Sequence, residues 1–177
     1  MVKVKLNLNG LNKVYEALNS THTLRVGILG DKAAVNHEGS DYTNAEIGAI
    51  QEFGSVANKI PARSFLGMPL SKELPALLNK RDVRAGFEKC LESGDLDAFL
   101  TAVGEKSVAI VKDAFENSGY GTWAANAPIT IEGGWMRNKK TGAPVYVHGK
   151  APETKPLINT RQLRDSITYE VVENENN

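Results

Sequence analysis

One cysteine, Cys90, stands in a chain of 177 residues. An internal disulfide and a cysteine-built zinc cluster are therefore both excluded. No apolar run approaches the ~20 residues that a membrane span requires, so no membrane contact is expected. The opening Met-Val-Lys-Val-Lys alternates charge with apolar residues and lacks the apolar block of a signal peptide. These absences lead us to expect a soluble protein of a reducing compartment. An excess of either charge is also missing: Lys plus Arg total 21, as do Asp plus Glu. A general nucleic-acid coat would show a basic excess, so that role is disfavoured. A near-neutral chain lacks the self-repulsion that keeps monomers apart, which is compatible with assembly. The length suits one domain with a core of its own.

Reactive constellations are missing too. His22, His37 and His148 fall in three separate loops or strand ends. His37-Glu38 has the start of a helical His-Glu-x-x-His zinc motif, but position 41 is Asp, so the second imidazole is lacking. No Gly-x-Ser-x-Gly elbow occurs, and Cys90 lies beside Leu91 on a predicted helix, as a packed thiol does. Gly119-Tyr-Gly121 and Gly133-Gly134 lack the Lys-Ser/Thr of a phosphate-binding loop. No catalytic residue, cofactor or metal site is expected.

What is present reads as α+β. Residues 2–8 alternate Val2, Val4, Leu6 and Leu8 against Lys3, Lys5 and Asn7, a strand with one wet face. A short amphipathic helix through Leu11, Val14, Tyr15 and Leu18 follows, then a strand through Leu24, Val26 and Ile28 that ends at Gly30-Asp31. Residues 31–42 read as a loop. Thr43 with Glu46 three positions on is a capping box, opening a helix with an Ile47, Ile50, Phe53 stripe that stops at Gly54. Pro61 and Pro69 make 55–69 an extended connection. Residues 70–92 read as helix interrupted at Pro75 and weakened at Gly86. The strongest helix starts at Asp95. It places Leu96, Phe99, Leu100, Val103, Ser107, Ile110, Val111 and Ala114 on one face and ends at Asn117-Ser118-Gly119. Ile129 and Ile131 suggest a strand. Trp135-Met136 and Val145-Tyr146-Val147 flank a Lys/Thr/Gly turn, a hairpin. Thr160 is placed to cap one helical turn through Leu163, and Ile167, Tyr169 and Val171 alternate as a last strand. The tail 173–177 is polar and frayed. The expected architecture is a mixed or antiparallel sheet packed against a long central helix, with a C-terminal hairpin insertion at about 133–155 and an irregular helical insertion at about 70–94.

One charge feature stands out within this balance. Arg137, Lys139, Lys140, Lys150 and Lys155 face a single acid, Glu153. This run is either a solvated hairpin tip or a basic loop facing phosphate or an acidic partner surface.

Two stretches carry a resemblance. The first is Asn44-Ala-Glu-Ile-Gly-Ala-Ile-Gln-Glu-Phe-Gly54 followed by Lys59-Ile-Pro-Ala-Arg-Ser-Phe-Leu66. The second is Trp123-Ala-Ala-Asn-Ala-Pro-Ile-Thr-Ile131, a hairpin insertion, then Lys155-Pro-Leu-Ile-Asn-Thr-Arg-Gln-Leu-Arg-Asp-Ser-Ile-Thr-Tyr169. Both resemble the virion-morphogenesis proteins of tailed bacteriophages, the small head–tail joining, neck or tail-completion proteins. In order, with the long helix between them, they are more specific than either alone. Two departures stand against the family pattern. Arg161 occupies a position where the family has Gly after Thr160, and a positive φ there would strain an Arg. The block 70–94 is also longer and more irregular.

The resemblance implies a ring-forming structural protein without catalytic activity, set around the DNA channel in the neck or upper tail. It implies a hexamer whose neighbours are head-closure or connector proteins and tail-terminator or tail-tube proteins. Packaged DNA would then be a non-specific contact, and location would be the virion after assembly in the host cytoplasm. Tail completion is favoured over head closure. Ile60, Pro61, Arg63, Phe65 and Leu66 have two readings. Either Phe65 and Leu66 pin this extended segment to its own core, or it lays an apolar strip on the neighbouring subunit with Arg63 paired across the joint. Arg137, Lys139, Lys140, Lys150 and Lys155 would line the channel or reach an adjacent ring. The alternative is a monomeric phage-encoded module that contacts DNA or a host protein through the basic 137–155 hairpin.

Overall fold

The computed structural model describes residue 15 and residues 22–38, 40–138, 141–150, 155–158 and 161–173. Its elements run β1 (His22–Ile28), α1 (Asp31–Ala34), α2 (Asn44–Phe53), α3 (Gly67–Leu78), α4 (Arg81–Ser93), α5 (Leu96–Glu116), α6 (Pro128–Glu132), β2 (Gly134–Arg137), β3 (Pro144–Val147), α7 (Gln162–Asp165) and β4 (Ile167–Glu173). The expected strand at 2–8 lies outside the described residues, as does most of the helix expected around 11–18, of which Tyr15 is helical.

Period-two patterning makes β1 and β4 partners although most of the chain separates them. They pair antiparallel, with Leu24 opposite Val171, Val26 opposite Tyr169 and Ile28 opposite Ile167. On the other face Arg25 sits opposite Glu170, a solvated ion pair at 3.5 Å that adds little stability. The apolar face lies on α5. That helix is capped by Asp95, whose carboxylate accepts from the Ala98 N–H at 3.0 Å. Gly104 sets the closeness of the packing: a Cβ there would meet the Tyr169 ring at 2.4 Å and Leu24 at 3.0 Å. The α+β architecture is thus an antiparallel pair across a long helix, with β2 and β3 forming a second, separate hairpin.

Lower on α5, Val111, Ala114 and Phe115 are fully buried and meet Phe65, Trp123, Leu163 and Ile167. Phe115 is the hub of an aromatic trio, 5.3 Å from Phe65 and edge-on to Trp123 at 5.6 Å. The chain reaches Trp123 by turning back sharply at Gly119, which has φ +63° and donates its N–H to the Ala114 carbonyl at 2.7 Å. The Trp123 indole then lies on the bare Gly119 α-carbon, 2.2 Å from where a Cβ would stand.

Several local expectations are corrected. Ile129 and Ile131 lie in a short helix, α6, because Pro128 at its first position presets a helical φ and Gly133 ends it within five residues. The 31–42 segment contains the single turn α1, and it is tied to the far end of the chain. Gln162 donates to the Asn36 carbonyl at 3.0 Å and accepts from the Glu38 N–H at 2.7 Å. The capping box forms as expected, yet Phe53 points outward and is 80% exposed. Steps of three residues lag a 3.6-residue turn by ~60° each, so Phe53 has swung ~120° from Ile47. The inward side of α2 is Asn44 and Gly48, with Ile47 partly buried against the core. Pro75 sits inside α3 on its exposed side without breaking it. The helix stops at Asn79, whose side chain and N–H both return to the Pro75 carbonyl. The residue at the N-cap of α7 is Arg161, not Thr160, which lies outside the described residues. Arg161 does adopt the left-handed region, at φ +62°.

Two stability measurements follow. Gly119→Ala drives a methyl group into a rigid indole at a left-handed position, so it should lower stability by more than about 2 kcal/mol in denaturant unfolding. Arg161→Gly removes the cost of a left-handed side chain and should raise Tm by about 1–3 °C, even though the unfolded chain gains freedom.

Candidate functional site

Residues of the two resembling stretches converge on one junction. Glu52, next to last in α2, turns its carboxylate onto the first turn of α3. One oxygen accepts from the N–H groups of Phe65 at 2.8 Å and Leu66 at 2.9 Å. The other accepts from Gly67 N–H at 3.0 Å and from the Ser64 hydroxyl at 2.6 Å. Ser64 Oγ in turn accepts from the Met68 N–H at 2.8 Å. A helix start leaves such donors unpaired and carries partial positive charge, so a carboxylate here satisfies both. The short spacing between Glu52 and Ser64 is spanned by a tight turn in which Ser55 and Ile60 exchange backbone hydrogen bonds at 2.9 Å. Gly54 makes the turn possible: at φ +75° its α-hydrogen faces the Ile60 carbonyl and Ala62 backbone, where a Cβ would come within 3 Å.

Arg63 faces inward. Its Nε donates to the Ala124 carbonyl and one terminal nitrogen to the Ala125 carbonyl, both at 2.9 Å. Its own N–H bonds the Gln51 carbonyl at 2.7 Å. Burial lowers the pKa of this guanidinium from its ordinary value. The fork ties the 59–66 segment to the chain that follows α5, and Trp123 repeats the tie by donating its indole N–H to the Ser64 carbonyl at 3.0 Å. Phe65 is buried in the core, Leu66 packs partly buried against it, Ile60 is half-buried and Pro61 is exposed. The partners of Arg63 are therefore carbonyls of its own chain.

The described basic residues, Arg137, Lys150 and Lys155, have separate surroundings. The Lys155 ammonium donates to the Glu116 carbonyl at 2.6 Å, a cation on the C-terminal turn of α5. Arg164 Nε lies 3.2 Å from the Glu116 carboxylate. Lys150 is half-buried at the hairpin base, where its N–H donates to the Thr130 carbonyl at 2.9 Å. Arg137 is exposed at the end of β2, and Lys139 and Lys140 lie outside the described residues. What stands out on the hairpin is apolar. Trp135 is 71% exposed, with Met136, Val145 and Tyr146 each more than two-fifths exposed. Trp135 pairs with Tyr146 across the strands at 5.3 Å, and Tyr146 with His148 at 5.2 Å. The signal was in the sequence: adjacent Trp135-Met136 and Val145-Tyr146-Val147 leave neither face of the hairpin wet. The position of Glu52 in the first motif was visible as well, but its role required the fold.

The histidines have separate surroundings. His22 lies 3.4 Å from Asp97, and His148 stacks on Tyr146. His37 Nδ1 lies 2.9 Å from Asn44 Oδ1. Because the Asn44 amide nitrogen donates to the Lys32 carbonyl, that oxygen is the acceptor and Nδ1 carries the proton. The Cys90 thiol is buried, and burial followed by Asp95 pushes its pKa up, which disfavours the reactive thiolate. Among the described residues no three His, Cys, Asp or Glu side chains are grouped to hold a metal, and no helix is long and apolar enough to cross a membrane. Comparison with known protein families, with curated proteins and with solved structures gives no match for this chain.

The Arg63 fork can be tested against its Lys variant. Arg63→Ala should cost about 2–4 kcal/mol in urea unfolding, since two carbonyls lose a charged donor. Arg63→Lys should recover less than half of that, because an ammonium cannot span both oxygens. Equal stability of the wild type and the Lys variant would mean that the planar fork is not what holds the segment.

Proposed function

We propose that this chain is a structural virion protein of a tailed bacteriophage, one subunit of a ring in the neck or upper tail that surrounds the DNA channel. It acts by shape, in tail completion or head–tail connection. Its partners are copies of itself and the connector or head-closure proteins and tail-terminator or tail-tube proteins on either side. Assembly takes place in the host cytoplasm, and the finished protein resides in the virion.

The observation that carries this reading is the meeting of the two motif stretches at one junction. Arg63 with Ala124 and Ala125 and Trp123 with Ser64 are the pairs formed between them, while Glu52 with residues 64–67 closes the first stretch on itself. Motifs far apart in sequence that bond to each other behave as one structural signature, as a shared fold requires. The exposed aromatic hairpin supports the same reading, since an uncovered apolar surface marks an association site. Of the residues that would line the channel, Arg137 is exposed, while Lys139 and Lys140 lie outside the described residues. Lys155 is engaged with the C-terminus of α5.

Loss of the gene should leave DNA-filled heads and separate tails in electron micrographs of the lysate. Purified virions should hold the chain at a copy number equal to one ring. Infectious virions that lack the chain altogether would refute the proposal.

A further inference from the structure

The hairpin is a two-stranded sheet by itself, and such sheets are only marginally stable in water. Both of its faces are apolar: Trp135 and Tyr146 occupy one, Met136 and Val145 the other, and all four are exposed. Its charge has one sign. Residues 133–152 contain Arg137, Lys139, Lys140 and Lys150 and no acid.

A surface of opposite character lies elsewhere on the same chain. Residues 33–58 contain Glu38, Asp41, Glu46 and Glu52 and no Lys or Arg. Within them α2 exposes Phe53, and the turn after it exposes Val56, which is 98% accessible. Beside Phe53 runs a shallow groove of about 190 Å³, lined by Ile28, Ala49, Phe65 and Leu66. The groove between α4 and α5, lined by Val83, Phe87, Leu91 and Phe99, is larger at about 580 Å³. Its surroundings, residues 78–99, mix Lys80, Arg81, Arg84 and Lys89 with Asp82, Glu88, Glu92, Asp95 and Asp97, so they complement a basic hairpin less well than a segment that carries acids alone.

We propose that the 134–147 hairpin of one copy docks on the α2 face of a second copy, with Trp135 and Tyr146 against Phe53, Val56 and the groove, and with Arg137 toward Glu38 and Asp41. This deepens the ring reading and rests on it. Two different patches of one chain meet, so the contact is heterologous and propagates head to tail until the rotation closes. Self-association should weaken as salt rises, because the charges that steer the contact are screened within ~3 Å at 1 M ionic strength.

The test uses the full-length chain in two arms. In the first, Trp135→p-benzoylphenylalanine is irradiated and the cross-linked peptides are identified by mass spectrometry. Cross-links to residues 45–56 of a second copy are expected, and cross-links confined to the α4–α5 groove or to another hairpin overturn the inference. In the second, sedimentation compares a hairpin variant (Trp135→Ala, Tyr146→Ala) with a face variant (Phe53→Asp, Val56→Asp), each checked for native circular dichroism. Each should weaken self-association at least about tenfold. An equimolar mixture should form heterodimers that grow no further, because one intact hairpin and one intact face remain between the two. A mixture that stays monomeric overturns the joint, as does a wild-type chain that stays monomeric up to its solubility limit. Rings whose cross-links fall elsewhere would defeat this joint and leave the neck reading standing. Absence of the chain from virions would defeat the neck reading while the joint could still be measured.

Discussion

The Glu52 carboxylate holds three successive backbone N–H groups and one hydroxyl at the start of α3, and much of the remaining structure depends on that hold. A helix start has donors without partners in the helix itself, and a carboxylate pairs several of them with favourable charge. Once residues 64–67 are fixed to the end of α2, Phe65 has one direction to face, which is toward Phe115. Arg63, on the other side of the extended segment, is then directed toward the chain beyond α5. The core and the junction are thus one construction, in which a polar clamp sets the position of an aromatic anchor.

That construction leaves the two strand pairs unequal in cover. The β1–β4 pair is packed against α5, with Tyr169 seated over the bare Gly104. The β2–β3 pair has no comparable support and projects from α6, where the Lys150 N–H and the Thr130 carbonyl anchor its base. A free-standing hairpin with apolar side chains on both faces, aromatic on one of them, is a poor end state for a solitary molecule. It is a reasonable one for a subunit that meets other copies, because the cover it lacks is then supplied by a neighbour. The neutral overall charge is consistent with this: opposite charges are segregated between the 33–58 and 133–152 segments, so the chain can attract its own kind in one relative orientation.

Cation placement shows how a local excess of charge can mislead. Five basic residues between positions 137 and 155 read as one patch in sequence, yet Lys155 neutralises the C-terminal turn of α5 and Lys150 stands half-buried at the hairpin base. Helix ends and buried carbonyls draw positive charge inward, and Arg63 is the extreme case. The neutral Gln162 satisfies distant backbone by hydrogen bonding alone, donating to the Asn36 carbonyl and accepting from the Glu38 N–H on a segment more than a hundred residues away.

Local signals were legible where neighbours in sequence decide the outcome. The capping box at Thr43, the N-cap at Asp95, the face of α5 and the alternation of β1 and β4 all depend on contacts within a few residues or on simple periodicity. Phe53 and the Ile129–Ile131 pair were misread for related reasons. Three-residue steps drift around a helix, and two isoleucines two apart do not outweigh a proline that starts a turn. Sequence alone therefore determined most of the element types, the buried face of α5 through Val103, Ser107, Val111 and Ala114, and the positive φ problem at Arg161. Tertiary structure decided that Glu52 would cap a helix beyond the turn, that Arg63 would serve its own chain, and that Trp135 and Tyr146 would remain uncovered. Those outcomes depend on which distant backbone groups are brought close, and long-range closeness is a property of packing that no window of neighbouring residues contains.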